Sequence, residues 1–235
     1  MRRVGLLMVG HVAPSAVPIG GDYPELFAAL LDGLGIELVR YDLDRGVLPA
    51  SVDECDGWLC SPSRCSTYDG HRWICDAEEL LRELVRRERP YVGICFGHQL
   101  LAQALGTPVR RAADGWLVGV HDYEIVAPQP WMDPARDRVA LLASHEDQVA
   151  ALPDGAQLLA TTPGCPVSGL LVGERAWTLQ PHPEFTAPLA EHLYAMRRET
   201  IGDARTDAAL ASLARPLDRL EVGRWIAKFF ADQSP

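Results

Sequence analysis

The chain has 235 residues, of which 48% are hydrophobic and 23% charged, and it carries a formal net charge of −10. That length and apolar content can bury one large α/β core, while the acidic balance without a basic stripe excludes a nucleic-acid partner, because neutralising phosphates requires clustered Lys and Arg. No apolar stretch is long enough to cross a bilayer, and the expected compartment is the cytoplasm.

Residues 4–9 form an apolar run that reads as a first core strand rather than a signal peptide. A helical pattern over residues 23–34 follows, then strands at 36–41 and 58–59. Residues 76–89 read as a helix whose Arg86-Arg87-Glu88-Arg89 end is a solvated terminus, where cations are favourable. The apolar run 91–94 turns directly into a helical pattern at 98–105. This alternation of buried strand and helix predicts a doubly wound, mainly parallel sheet with helices on both faces, a three-layer α/β/α fold. Between residues 108 and 172, short strand signals with Pro and Gly turns predict a smaller antiparallel extension, with residues 115–121 supplying one strand and its approach. A short strand at 177–179 precedes helices near 188–200 and 219–231. No repeat, linker or composition break appears, so residues 1–235 read as a single domain with function in one site.

The most informative segment is Gly93-Ile94-Cys95-Phe96-Gly97-His98-Gln99. It places a cysteine between two glycines where strand turns into helix, and a sharp elbow of this kind needs neighbours without Cβ. A cysteine there sits at a helix N-terminus, where free N–H groups and the helix dipole favour the thiolate. Downstream, Gln180-Pro181-His182-Pro183-Glu184 sets His182 and Glu184 two residues apart, and Pro183 biases His182 to extended backbone. Both side chains then lie on one side of the chain, so the carboxylate can orient the imidazole. Nucleophile, base and orienter are the three parts of nucleophilic catalysis.

These two motifs resemble those of the class I glutamine amidotransferases, and in particular free-standing proteins similar to the glutaminase domain of GMP synthase. The resemblance runs from the first strand to about Glu184 and implies a flavodoxin-like fold. It implies that Cys95 attacks a γ-amide carbon, that His182 is the general acid/base and Glu184 its partner, and that a γ-glutamyl thioester is then hydrolysed. It further implies an oxyanion hole from the N–H of Phe96 and a donor on the loop 56–69. Pro62 stands there where the family has glycine, and since proline has no N–H, Ser63 becomes the donor. The segment Ser144-His145-Glu146-Asp147 resembles the family's Ser-His-x-Asp stretch, which makes Ser144, His145 and also Gln99 candidates for contacting the substrate, each with a structural role as the alternative. Which of Trp116, Trp131 and the Arg64 loop closes the leaving-group pocket stays open at this level. Cys60 and Cys65 fall on the same loop, where a bond between them would act as a redox lock.

Lys228 is the only lysine, which excludes a Walker or Schiff-base lysine near the glycine-rich turns. The remaining Asp, Glu and His residues show no metal-site spacing. No cofactor and no metal are therefore expected, and a synthetase that accepts ammonia would be a separate partner. Three functions remain: a glutaminase releasing ammonia from L-glutamine, a stand-alone γ-glutamyl hydrolase or peptidase acting on a γ-glutamyl conjugate, and a catalytically silent binding or regulatory module.

Overall fold

A computed structural model describes residues 1–233. The first half alternates strand and helix: β1 (Arg2–Met8), α1 (Val17–Gly20), α2 (Tyr23–Leu30), β2 (Ile36–Asp42), β3 (Gly57–Cys60), α3 (Arg72–Arg86), β4 (Tyr91–Ile94) and α4 (Phe96–Ala104). Seven strands follow, β5 (Val109–Arg111), β6 (Leu117–Ile125), β7 (Arg138–His145), β8 (Asp147–Val149), β9 (Ala156–Thr162), β10 (Cys165–Val172) and β11 (Ala176–Leu179). Four helices close the chain, α5 (Ala187–Met196), α6 (Arg198–Ile201), α7 (Asp203–Ser212) and α8 (Arg219–Asp232).

Nine strands form one sheet in the order β2-β1-β3-β4-β11-β10-β9-β6-β7. The strands from β2 to β11 run parallel, and those from β10 to β7 antiparallel. β3 and β4 are buried at every position because helices cover both faces of the sheet. On one face Leu6, Val92 and Ile94 join α2, α5 and α8 in a single apolar cluster. On the other, Trp58 and Tyr91 meet α3 and α4. α3 buries Ile74, Ala77, Leu81 and Leu84, the three-and-four spacing of one helical stripe. α2 starts where Asp22 and Glu25 form a reciprocal capping box and Pro24 fits the first turn. His98 on α4 ties that helix to the sheet, donating from Nε2 to the Val167 carbonyl and accepting from Thr178 Oγ1 at Nδ1.

The three-layer fold is as the sequence predicts, with local differences. The antiparallel strands are not an appendage: β10, β9, β6 and β7 continue the central sheet, and only β5 and β8 form a separate two-stranded ribbon. The helix expected over 188–200 breaks at Arg197 into α5 and α6. α7 was not anticipated; it buries only Thr206 and Ala209, too little apolar periodicity to read. The cysteines of the described residues are free thiols, and the Cys60 sulfur is turned into the core towards the Ser61 carbonyl, away from any redox lock with Cys65. Among the described residues, no helix is long and apolar enough to cross a membrane.

Candidate active site

β4 ends at Ile94 and α4 begins at Phe96, so Cys95 alone turns the chain, at φ 51° and ψ −97°. The turn is held from both sides, Cys95 N–H donating to the Leu179 carbonyl at 2.8 Å and the Cys95 carbonyl accepting from Gln99 N–H at 3.1 Å. The flanking glycines are sterically required: a Cβ on Gly93 would lie 2.6 Å from the Gly97 carbonyl, and one on Gly97 would lie 2.8 Å from Cys60 Cβ. Phe96 occupies the first helical position, where its N–H lacks an intrahelical acceptor. Its side chain is buried against Trp73, with ring centroids 5.7 Å apart.

β11 runs parallel to β4 and delivers residues 180–185 beside this elbow. His182 N–H donates to the Leu142 carbonyl at 2.9 Å, and its ring stacks on Phe185 with centroids 4.0 Å apart. His182 Nδ1 lies 2.7 Å from Glu184 Oε1. A carboxylate accepts, so Nδ1 carries the proton. Nε2 is left buried without a hydrogen-bond partner. Burial opposes the imidazolium, but the charges of Glu184 and of Cys95 outweigh it and hold the His182 pKa above its ordinary value. Glu184 itself is fully buried behind the ring. Arg219 braces the turn from outside, donating to the Pro183 and Glu184 carbonyls at 3.2 and 3.4 Å.

A cavity of about 280 Å³ opens over Cys95 and His182, and Ser63, Gln99, Ser144 and His145 also line it. His145 Nδ1 faces the Asp147 carbonyl at 3.1 Å and must donate to it. Burial lowers the His145 pKa to about 3, keeping the ring neutral. Its unpartnered Nε2 is consequently an acceptor. Gln99 Nε2 donates to the Asp147 carbonyl at 2.8 Å and to Gln180 Oε1 at 3.1 Å, and Gln180 Nε2 reaches Cys95 Sγ at 3.5 Å. Ser144 Oγ accepts from Arg197 Nη1 at 3.0 Å.

The loop carrying Ser63 is seated by a residue the sequence reading passed over. Gly10, just beyond β1, lies so close that a Cβ there would fall 2.7 Å from Ser63 Oγ and 2.9 Å from Ser63 Cα. Ser66 Oγ and Tyr68 OH donate to the two carboxylate oxygens of Asp147, at 2.5 and 2.7 Å, tying this loop to the 144–147 segment. Of the residues considered for closing the pocket, Trp116 and Arg64 line the cavity. Trp131 belongs to the core, its ring 4.5 Å from that of Trp177. Gln180 and Arg197 were missed; Gln180 had a signal in its place beside the His-Pro-Glu motif, whereas Arg197 lay unmarked within the helix expected over 188–200. Among the described residues, the one cluster with metal-donor chemistry is Cys65, Asp69 and His71, with donor atoms within 4.8 Å of one another and Asp69 and His71 exposed.

Fold and cleft are those of an α/β protein built around an elbow cysteine, and residues 28–197 match the family Glutamine amidotransferase class-I. The chain belongs to the class I glutamine amidotransferases. Over 176 residues it is 28% identical to gamma-glutamyl peptidase 3 of Arabidopsis thaliana, covering 69% of this chain and 70% of that one. A putative glutamine amidotransferase of Saccharomyces cerevisiae is 32% identical over 164 residues, 66% of this chain and 65% of the relative. A glutamine-hydrolyzing GMP synthase of Aeropyrum pernix is 32% identical over 175 residues, which are 72% of this chain but 32% of that longer protein. A glutamine amidotransferase of Thermotoga maritima shares the fold at a TM-score of 0.79 and 19% identity, over 99% of this chain and 100% of its own.

Proposed function

We propose that this chain acts as one domain and hydrolyses γ-glutamyl amides, with L-glutamine as the simplest substrate, through a γ-glutamyl thioester on Cys95. The observation that carries this reading is the unpartnered Nε2 of His182 beside Cys95, on a ring whose Nδ1–H is committed to buried Glu184. An imidazole fixed in that tautomer takes a proton only at Nε2.

His182 removes the Cys95 proton and the thiolate attacks the γ-carbonyl carbon. The N–H groups of Phe96 and Ser63 receive the developing oxyanion. The imidazolium, stabilised by Glu184, returns its proton to the departing amine, and water then cleaves the thioester with His182 as base. The neutral His145 Nε2 accepts from the substrate's α-ammonium group, and Gln99 and Ser144 complete the γ-glutamyl subsite.

The leaving amine distinguishes two versions. Ammonia release matches the glutaminase reading and, if the ammonia is used, calls for an acceptor activity beyond the matched region, which spans 32% of the glutamine-hydrolyzing GMP synthase. A larger amine matches the relative named gamma-glutamyl peptidase 3, and exposed Arg64 on the cavity lining supports it. The test is intact-protein mass after incubation with 6-diazo-5-oxo-norleucine, alongside ammonia release from L-glutamine and amine release from γ-glutamyl amides. Stoichiometric labelling at Cys95 with turnover of either substrate type is expected. No labelling and no turnover would overturn the assignment.

A further inference from the structure

The charges that line the cleft do not balance. Glu146 is taken by Arg111, whose Nε lies 3.5 Å from its carboxylate. Asp147 is taken by the hydroxyls of Ser66 and Tyr68. His145 is neutral. What remains are exposed Arg64 and the part-buried guanidinium of Arg197, neither in an ion pair among the described residues, and of the two Arg197 is the one held in place. One face of it lies over the Trp116 ring, 5.6 Å from the centroid, and Nη1 donates to Ser144 Oγ at 3.0 Å.

Such a cation is out of place as a structural element. The side chain is only half-exposed, and burial pulls its pKa below the usual arginine value. Partly buried charges are ordinarily paired, because desolvation otherwise goes uncompensated. Stacking on an indole and one bond to a hydroxyl fix the plane of the guanidinium and leave its other N–H groups free. A fixed, planar fork of free donors fits the two oxygens of a carboxylate. The Trp116 Nε1–H, also buried and unpartnered, adds a neutral donor on the same wall. The helical run is interrupted between α5 and α6 at Arg197, whose side chain lines the cleft.

We propose that Arg197, held by Trp116 and Ser144, is the carboxylate receptor of the cleft and the residue that restricts substrates to those presenting a carboxylate to it. The identity of the substrate rests on the γ-glutamyl reading above; the receptor itself does not. The carboxylate it binds belongs either to the γ-glutamyl unit or to an amino-acid leaving group.

Two measurements test this separately. In the first, the alkylation rates of Cys95 by iodoacetate and by iodoacetamide are compared by peptide mass mapping, which needs no turnover. Arg197→Gln is expected to lower the iodoacetate-to-iodoacetamide ratio by at least roughly 10-fold, as loss of a charged hydrogen bond does, with Arg197→Lys falling between. Arg198→Gln, a neighbour paired with Asp203 and Asp207, leaves the ratio unchanged. An unchanged ratio in folded Arg197→Gln and Arg197→Lys overturns the receptor.

In the second, kcat/KM of the wild type and of Arg197→Gln is compared on L-glutamine, on 4-aminobutanamide, on γ-glutamylglycine and on γ-glutamyl methylamide. The expected loss in the variant is roughly 10- to 100-fold, mostly in KM. If 4-aminobutanamide alone is insensitive to the variant, the γ-glutamyl carboxylate is the ligand. If γ-glutamylglycine alone is sensitive, the leaving group is. A wild type that hydrolyses none of these amides while the alkylation ratio still falls in Arg197→Gln would refute the γ-glutamyl reading and leave the receptor standing. Equal kinetics of the two proteins on all four, with an unchanged alkylation ratio, would do the reverse.

Discussion

Cys95 holds a positive φ that a residue with a Cβ avoids, at a conformational cost of about 1–3 kcal/mol. Glycine is free of that cost. Cys95→Gly is therefore expected to unfold at higher urea than Cys95→Ala, by roughly 1 kcal/mol or more, while both lose turnover; equal midpoints would show that the elbow is not strained. At Glu184, substitution by Gln keeps the shape and removes the charge that stabilises the imidazolium. A fall in kcat of at least roughly 10-fold with little change in KM is expected from steady-state kinetics. At this scale the sequence was most legible where the signal is local. Gly93, Cys95 and Gly97 declare a tight turn by spacing alone, and Pro183 sets His182 and Glu184 side by side. Arg197 was illegible because the helix break at its position comes ten residues past the start of α5, and nothing in Met196-Arg197-Arg198 marks that break.

Elements put these residues together by register. His182 and Leu142 pair although 40 positions separate them, and β4 with β11 aligns Ile94 with Leu179. The elbow and the histidine turn thus leave the same end of the sheet, a crevice at the carboxyl ends of parallel strands. The Ser63 loop is placed by Gly10 in the same crevice. Gly10→Ala is expected to displace that loop and lower kcat by up to about 100- to 1,000-fold, the range for a lost oxyanion donor, with Cys95 alkylation by iodoacetamide preserved. Wild-type kcat in that variant would free the loop from the role given to it. Parallel strands covered on both faces announce themselves as apolar runs, which is why β1, β3 and β4 were visible. The strands β6, β7, β9 and β10 are 7 to 9 residues long, but their sequence pattern does not say which sheet receives them.

For the whole molecule, buried histidines set the response to acid. Burial lowers the pKa of His98 to about 4 and of His145 to about 3, against 6.5 for an exposed ring. The unfolded chain takes up these protons first, so stability falls as pH drops below 6.5 towards 4. His182 has the opposite sign: its raised pKa gives a contribution that is complete below 6.5 and fades only as pH rises through the folded value. Urea midpoints at pH 7, 5.5 and 4.5 are expected to decline in that order, and less steeply in a His98→Gln protein; a flat series would show that the rings are protonated in place.

The single lysine has a practical side. Lys228 lies on α8 beside Asp232, nine residues and roughly 13 Å along the helix from Arg219, which braces the His182 turn. Reagents that couple to amines meet one side chain and the chain's own α-amine. A sample tethered through that side chain would stand on a surface in a single orientation, fixed by the end of α8.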